Sequence, residues 1–532
     1  MGVARVACRA QLGLEAPLVS IEVSLDAGLP AFFIVGLAAT VVRESKERVR
    51  AALLNSHFEF PAGRITVNLA PAELPKEGGR FDLPIALGIL LASRQLRGPT
   101  GLARTLERTE FYGELGLTGE LKAVRGLLPA AAAAHRAGHE LIVPRASAAE
   151  ACAVAAALAY PADHLLEVCA HVAGSKPLAP GVATHSGDSP CGSGRFALDL
   201  ADVRGQLHAK RALTIAAAGG HSLLLIGPRG CGKSMLAQRL PALLPPLSAA
   251  EALEVAAIAS LSGTAFRGEA LAVRPFRSPH HSTTTPALIG GGTRAQPGEI
   301  SRAHHGVLFL DELPEFGRRA LEALREPLEA GCIAVARAAH HAHYPAAFQL
   351  VAAMNPCACG LLSDPGGRCR CTPAQVARYR ARISGPILDR LDLHVEMSSV
   401  PAGEFDASPA AVSSAGAALL ASRARDLQSI RQGACNARLA DAELASYCAL
   451  DGSGQRFLAL AVQRLGLSGR ARQRVLRVAR TIADLDGGGA IGTAHLSEAL
   501  LLRCLDRAAR EVPRERAAAS SAPSTPCSRP PA

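Results

Sequence analysis

SLLLIGPRGCGKS, residues 222–234, carries the clearest fold signal in this chain. The apolar run that begins at Ser222 indicates a buried strand, and the helical pattern MLAQRLPALL follows the stretch directly. A glycine-rich loop between strand and helix wraps phosphate with main-chain N–H groups, Lys233 would reach the β- and γ-phosphates, and the Ser234 hydroxyl would bind Mg²⁺. The predicted nucleotide-binding loop consists of Gly227, Pro228, Arg229, Gly230, Cys231, Gly232, Lys233 and Ser234.

Polar side chains follow two later apolar strands. VLFL at 307–310 precedes Asp311 and Glu312, a pair typical of a Walker B element. The first carboxylate would hold Mg²⁺ through water, and the second would polarise the attacking water. The next strand, FQLVAAM at 348–354, ends at Asn355. A lone Asn after a strand is most often a cap, but its order along this chain places Asn355 to sense the γ-phosphate.

The bulk composition describes a large globular protein without a membrane span. The chain has 532 residues, of which 49% are hydrophobic, 19% charged and 4% aromatic. No apolar run reaches the length of a membrane helix, so we expect a cytoplasmic protein whose 14 cysteines are reduced. The net charge of +11 is carried mostly by Arg, which suits phosphate and makes nucleic acid a candidate partner. A coding bias toward Arg explains the same charge equally well.

Shifts in composition predict five segments. We expect an α/β domain at 1–172, a Gly, Pro and Ser-rich linker at 173–195, and an α/β ATPase core at 196–402. A helical lid at 403–512 and a low-complexity tail at 513–532 follow. The predicted fold class is therefore α/β with a C-terminal helical lid.

Four cysteines cluster after Asn355. Cys357, Cys359, Cys369 and Cys371 flank a loop that is too poor in apolar residues to fold alone. A tetrahedral structural Zn²⁺ site would hold such a loop together. Unmetallated thiols and an iron–sulfur cluster remain alternatives, because the C-x-C spacing is less diagnostic than C-x-x-C.

The same motifs resemble the ComM/YifB competence protein family of magnesium chelatase-like AAA+ ATPases, which are related more distantly to MCM helicases. The matching stretches are DVRGQLHAKRALTIAAAGGHSLLLIGPRGCGKS, PGEISRAHHGVLFLDELPEF, FQLVAAMNPCACG, ISGPILDRLDLHVE and RVLRVARTIADLDG. The resemblance implies that Arg390 is an arginine finger for a neighbouring subunit and that Arg470 is the sensor-2 arginine of the lid. A finger acting in trans implies a ring, which we expect to be a homohexamer.

The resemblance also implies an ATP- and Mg²⁺-dependent motor acting on single-stranded or branched DNA. We expect it to drive branch migration of recombination intermediates during natural transformation. A chelatase-type chaperone, which drives metal insertion through a partner subunit, is the main alternative, and a slow nucleotide-switched scaffold is another. DNA contacts are expected at Arg274, Arg277 and Arg337, in an insert and a β-hairpin that point into the pore of MCM-like rings. The histidines beside them, such as His280 and His281, could equally cap turns.

The first domain resembles the peptidase domain of Lon proteases. That resemblance rests on NLAPAELPKEGGRFDLP at 68–84, GELGLTGE at 113–120 and HRAGHELIVP at 135–144. The Ser–Lys dyad of such proteases needs a hydroxyl and an amine, but the matching positions here hold Arg80 and Leu128. We therefore expect a proteolytically inert scaffold or DNA-binding cap, and not an ATP-dependent protease.

Overall fold

A seven-stranded mixed sheet occupies the N-terminal part of the chain in the computed structural model, in the order β3-β4-β2-β1-β5-β8-β9. The structure describes residues 2–99, 102–154, 157–182, 198–262, 273–292, 296–337, 340–362, 368–399 and 412–508. The strands of this part are β1 Gly2–Arg9, β2 Leu18–Asp26, β3 Ala31–Val35, β4 Arg64–Ala70, β5 Thr109–Phe111, β6 Glu114–Leu115, β7 Leu121–Lys122, β8 Glu140–Pro144 and β9 Ala159–Ala162. Burial alternates along β2 and β4, so one face of the sheet is packed.

Helices cover this first sheet. They are α1 Thr40–Arg43, α2 Ser45–Asn55, α3 Asp82–Ala92, α4 Leu102–Glu107, α5 Leu127–Ala137, α6 Ala148–Cys152 and α7 Leu165–Val172. Nearly every described side chain of α3 is buried, because the helix packs on β1 and β2. The first domain therefore has its own apolar core.

A five-stranded parallel sheet forms the second part, in the order β11-β14-β17-β10-β18. The strands of this part are β10 Leu223–Ile226, β11 Phe276–Arg277, β12 Gly290–Gly291, β13 Gln296–Pro297, β14 Val307–Leu310, β15 Cys332–Arg337, β16 His340–Pro345, β17 Gln349–Met354 and β18 Leu393–Glu396. The central strands β10, β14 and β17 are buried along their whole length, as expected for parallel strands covered on both faces. β15 and β16 pair as a separate antiparallel hairpin.

The helices of this second part surround its sheet. They are α8 Leu207–Gly219, α9 Lys233–Leu243, α10 Ala249–Leu261, α11 Thr285–Ile289, α12 Glu299–Arg302, α13 Arg318–Glu322, α14 Arg325–Ala330, α15 Pro373–Arg380 and α16 Gly385–Leu388. α10 also packs against α5, and its Ala256 and Ala257 belong to the apolar core of the first domain. The Ser260 hydroxyl of α10 hydrogen-bonds to Glu150, whose carboxylate also accepts from the main chain of Leu127 at 2.8 Å.

A helical unit follows, as predicted. Its helices are α17 Ser414–Gln432, α18 Leu444–Tyr447, α19 Gly452–Leu465, α20 Gly469–Leu485, α21 Thr493–Leu501 and α22 Cys504–Ala508. α17 and α20 pack on α8, so this lid shares one apolar core with one face of the parallel sheet. Within the described ranges, no helix combines the length and apolar character needed to cross a bilayer. The predicted tail at 513–532 and most of the predicted linker lie outside the described residues.

Candidate nucleotide site

The glycine-rich loop connects β10 to α9, as predicted. Gly230 and Gly232 have φ angles of +78° and +93°, which residues with a side chain rarely adopt. The Lys233 ammonium lies inside the loop, 2.7 Å from the carbonyl oxygen of Gly227 and 2.8 Å from that of Pro228. Burial lowers the pKa of Lys233. The loop thus holds a partly desolvated cation at the N-terminus of a helix, where a phosphate group binds well.

Asp311 and Glu312 follow β14 at the same edge of the sheet. The Ser234 hydroxyl donates a hydrogen bond of 2.6 Å to Asp311. Glu312 has a φ angle of +52°, an uncommon conformation for a residue other than glycine, and its side chain remains 46% exposed. The strand end therefore directs one carboxylate toward Ser234 and leaves the other accessible to water.

Asn355 completes this group from β17, which lies between β10 and β14 in the sheet. Its Oδ1 accepts a hydrogen bond of 3.2 Å from Lys233 Nζ. Parallel strands present their carboxyl ends at one edge, so residues that are far apart in sequence meet here. The chemistry is that of a phosphate and Mg²⁺ site: Ser234 and Asp311 fit the metal, because both offer hard oxygen ligands.

The two arginines expected from the family motifs occupy different surroundings. Arg390 is 7% exposed and is paired with Glu329, with a further hydrogen bond to the Pro386 carbonyl. Arg470 is exposed in the first turn of α20, two residues after the N-cap residue Ser468. Arg470 is therefore presented to solvent, whereas Arg390 is held within its own chain.

Arg474 joins the lid to the loop of Arg390, a connection that sequence reasoning missed. It ion-pairs with Asp392, which also accepts from the main-chain N–H of Ser222 at 3.2 Å and contacts His221 at 3.3 Å. Burial alone would raise the pKa of Asp392, but the hydrogen bond with His221 and the charge of Arg474 hold it well below its usual range. The only sequence signal was an Arg one turn after Arg470 on the same helix.

His281 approaches the Walker B carboxylate, a second contact that was missed. Its Nδ1 lies 3.5 Å from Oε2 of Glu312. His281 lies shortly after β11, the neighbour of β14, so their ends share an edge of the sheet. This order was readable from the sequence once β11 had been identified.

The four clustered cysteines are brought together. Their Sγ atoms all lie within 4.8 Å of one another. The Sγ of Cys357 is 3.3 Å from that of Cys359 and 3.7 Å from that of Cys369. These separations exceed the disulfide bond length of about 2.05 Å and suit thiolates around one ion.

The arginines predicted to contact DNA differ in their availability. The Arg274 side chain is 10% exposed and donates to the carbonyl oxygens of Pro245 at 2.6 Å and His305 at 2.7 Å. Arg277 is 39% exposed and pairs with Glu299 at 2.6 Å. Arg337 ends β15, and its side chain lies outside the described residues. Arg274 therefore serves internal packing in this structure, contrary to the expected role.

A second polar group, formed by Glu254, His304 and His305, does not suit a metal in its present arrangement. The main-chain N–H of Ala347 donates to Nδ1 of His304 at 3.0 Å, so the neutral ring carries its proton on Nε2. That nitrogen lies 2.9 Å from Glu254 as a donor and has no lone pair for a cation. Burial lowers the pKa of His304 to about 4, which favours this neutral form at pH 7.

In the first domain, the two positions matched to a Ser–Lys dyad are buried. The Arg80 guanidinium donates to Gln11 at 2.7 Å and to the Arg125 carbonyl at 2.6 Å. Leu128 is 1% exposed. Neither position offers a nucleophile or a base.

Comparison with known proteins accounts for most of the chain. Family models match residues 199–405, described as "Magnesium chelatase, subunit ChlI", residues 21–147, described as "Subunit ChlI of Mg-chelatase", and residues 411–503, described as "Magnesium chelatase, subunit ChlI C-terminal". The chain is 26% identical to the magnesium-chelatase 38 kDa subunit of Rhodobacter capsulatus, over 58% of this chain and 87% of that protein.

Two relatives are similar over nearly their whole length. The competence protein ComM of Haemophilus influenzae is 49% identical, covering 95% of this chain and 98% of that protein. YifB of Salmonella typhimurium is also 49% identical, over the same shares of the two chains. With a phosphate loop, a Walker B pair and Asn355 at one edge of a parallel sheet, and with this similarity, the chain belongs to the ComM/YifB family of magnesium chelatase-like AAA+ proteins.

Proposed function

We propose that the protein is a Mg²⁺-dependent ATP hydrolase that works as a homohexameric ring and remodels DNA, by branch migration of recombination intermediates in natural transformation. The observation that carries the hydrolase is the convergence of Lys233, Ser234, Asp311 and Asn355 at one strand edge. Similarity to a competence protein over 95% of the chain supports the DNA role. A cytoplasmic location belongs to the same proposal.

The residues of the site divide the work of hydrolysis. Ser234 and Asp311 would hold Mg²⁺, which would neutralise phosphate charge as a Lewis acid. Glu312, accessible to water, would accept a proton from the attacking water, and Asn355 would orient that water. The Lys233 ammonium would donate to phosphate oxygens in place of the carbonyl oxygens of Gly227 and Pro228. Arg470 would contact the nucleotide from the lid of the same chain.

Arg390 would act on the nucleotide of the neighbouring subunit. Since its side chain is buried against Glu329 in the single chain, ring assembly would have to release it. A guanidinium in this role neutralises charge that develops on the transferred phosphoryl group.

DNA contact is proposed for Arg277 and Arg337, which belong to the insert and to the β15–β16 hairpin. Backbone contacts of this kind bind DNA with little sequence preference and weaken with salt. A structural Zn²⁺ at the four clustered cysteines completes the proposed cofactors. A proteolytically inert, Lon-like first domain completes the proposed architecture.

The proposal is tested by strand displacement from a synthetic four-strand DNA junction with ATP and Mg²⁺. Wild type should displace a strand, Lys233→Ala and Arg390→Ala should not, and Arg456→Ala, an exposed lid change, should behave as wild type. Mixing the two inactive variants should restore part of the ATPase rate. In a mixed ring, the intact nucleotide pocket of an Arg390→Ala subunit can lie next to the intact Arg390 of a Lys233→Ala subunit. If DNA does not change the rate of ATP hydrolysis and no strand is displaced, the chelatase-type chaperone becomes the better assignment.

A further inference from the structure

We propose that Cys357, Cys359, Cys369 and Cys371 bind one Zn²⁺ ion, and that this ion controls ATP hydrolysis by fixing Asn355. The inference rests on the proposed ATPase function and adds a site of regulation to it. Two connections join the four thiols to Asn355.

The thiols fit one tetrahedral ion. With metal–sulfur bonds of about 2.3 Å, tetrahedral geometry separates the sulfurs by about 3.8 Å. The observed separations are 3.3 Å for Cys357 and Cys359, 3.7 Å for Cys357 and Cys369, and 3.6 Å for Cys359 and Cys369. A cluster of several iron atoms needs more room among its thiolates. Four protein ligands leave no open coordination position, which is the mark of a structural site.

The first connection to the nucleotide site runs along the chain. Cys357 comes two residues after Asn355 and is fully buried. Its carbonyl oxygen accepts from the N–H of Gly360 at 3.0 Å, which closes a turn. A side chain at Gly360 would lie 3.5 Å from Cγ of Arg229, a residue of the phosphate loop. The first two ligands thus lie on a turn that borders both Asn355 and the phosphate loop.

The second connection runs through α15. Cys371 directly precedes Thr372, whose hydroxyl caps α15 by accepting from the N–H of Gln375 at 3.3 Å. The same helix carries Tyr379, which is buried in one apolar cluster with Met354, the residue before Asn355. The chain at Asn355 is therefore supported on one side by the residues leading to Cys357 and on the other by the apolar cluster that contains Met354 and Tyr379.

An ion bound to the four thiols would fix both the turn that carries Cys357 and Cys359 and the start of α15. The turn has little apolar burial of its own, since Cys359 is exposed and Leu362 is 41% exposed. Without the ion, the turn keeps the hydrogen bond from Gly360 to Cys357 but loses the metal bonds that join Cys357 and Cys359 to Cys369 and Cys371. Asn355 would then lose its orientation, while the main-chain N–H groups of the phosphate loop would still bind nucleotide. Loss of the ion should reduce the rate of hydrolysis and spare ATP binding.

The experiment uses the full chain in three forms: wild type, Cys359→Ser with Cys369→Ser, and Cys332→Ser as a matched control from outside the cluster. Plasma mass spectrometry should give one zinc per chain in wild type and control, and none in the double variant. The ATP dissociation constant should change less than twofold, while the hydrolysis rate should fall at least tenfold. Wild type stripped with a chelator should lose its rate and regain it on addition of Zn²⁺.

Two results would overturn the inference: wild type purified without zinc, or a zinc-free chain that hydrolyses ATP at the normal rate. If wild type lacks hydrolysis altogether, the proposed function fails, and hydrogen exchange at residues 351–357 still decides whether the ion fixes Asn355. Faster exchange there after zinc removal supports control of Asn355 by the ion, and unchanged exchange refutes it.

Discussion

Arg474 of the lid donates a hydrogen bond of 3.1 Å to the main-chain carbonyl oxygen of Arg390. The same guanidinium pairs with the buried carboxylate of Asp392. One lid residue thus contacts the loop that carries the proposed finger, one helical turn away from the proposed sensor Arg470. In the proposed ring, this contact would connect the nucleotide bound in one subunit with Arg390, the arginine proposed to act on the next subunit.

Replacing Arg474 should damage both stability and hydrolysis. Arg474→Ala leaves Asp392 with one partner fewer, and loss of one member of a buried pair costs about 3–5 kcal/mol. We expect a lower urea midpoint and an ATPase rate reduced at least tenfold, with ATP binding retained. Arg474→Lys should recover part of both, and Arg472→Ala, exposed on the same helix, should change neither. If Arg474→Ala hydrolyses ATP at the normal rate, this contact does not couple the lid to the proposed finger Arg390.

The stability contributed by Asp392 should depend on pH in a defined direction. Its pKa is lower in the folded chain than the value of about 3.9 in an unfolded chain, so the unfolded state takes up protons first as the pH falls. The contribution is therefore complete above about pH 5 and decreases below about pH 4. Urea unfolding of wild type and Asp392→Asn should differ by a constant free energy from pH 5 to 7. The difference should shrink at pH 3, and a constant difference down to pH 3 would contradict this assignment.

Removing His281 should weaken the coupling between DNA and hydrolysis. The contact between His281 and Glu312 holds the proposed base toward the loop after β11. Loss of one polar contact worth about 1 kcal/mol should raise the DNA-independent ATPase rate of His281→Ala about fivefold. The ratio of DNA-stimulated to basal rate should fall accordingly. His280→Ala is the matched control, since His280 contacts Ser282 at 2.8 Å. Equal ratios in both variants would exclude a role for His281 in restraining Glu312.

The stability of the first domain should depend on the buried ion pair between Arg9 and Glu110. Glu110 is fully buried and accepts from Arg9 at 2.8 Å and from the Tyr112 hydroxyl at 2.6 Å. Arg9→Ala would remove the guanidinium from this carboxylate and leave it with Tyr112 and with His139, whose Nδ1 lies 2.8 Å away, at a cost of about 3–5 kcal/mol. Chemical unfolding followed by circular dichroism should show this loss, whereas Arg5→Ala, an exposed change on the same strand, should cost under about 0.5 kcal/mol. A similar midpoint for both variants would mean that the pair of Arg9 with Glu110 does not stabilise the first domain.

The nucleotide site could be predicted from the sequence because its geometry follows from strand order. A buried apolar run indicates a central strand, and parallel strands have their carboxyl ends at the same edge of the sheet. The positions of Lys233, Asp311 and Asn355 at this edge can therefore be predicted without knowing how the side chains pack. The pairing of Arg474 with the Arg390 loop could not be predicted, since the two residues are 84 positions apart and belong to different units. The burial of Arg274 was missed for the same reason: its carbonyl partners come from loops whose positions only tertiary packing sets.

Ala256 and Ala257 of α10 complete the core of the first domain while α10 itself belongs to the second. The two units therefore do not separate at the linker between them. A fragment beginning at residue 198 would carry a bare apolar helix face and should aggregate, and a fragment ending at residue 182 would have a gap in its core. Neither half expressed alone should give a soluble protein. In evolution, loss of the first domain would also require replacement of the apolar residues of α10 that pack against it.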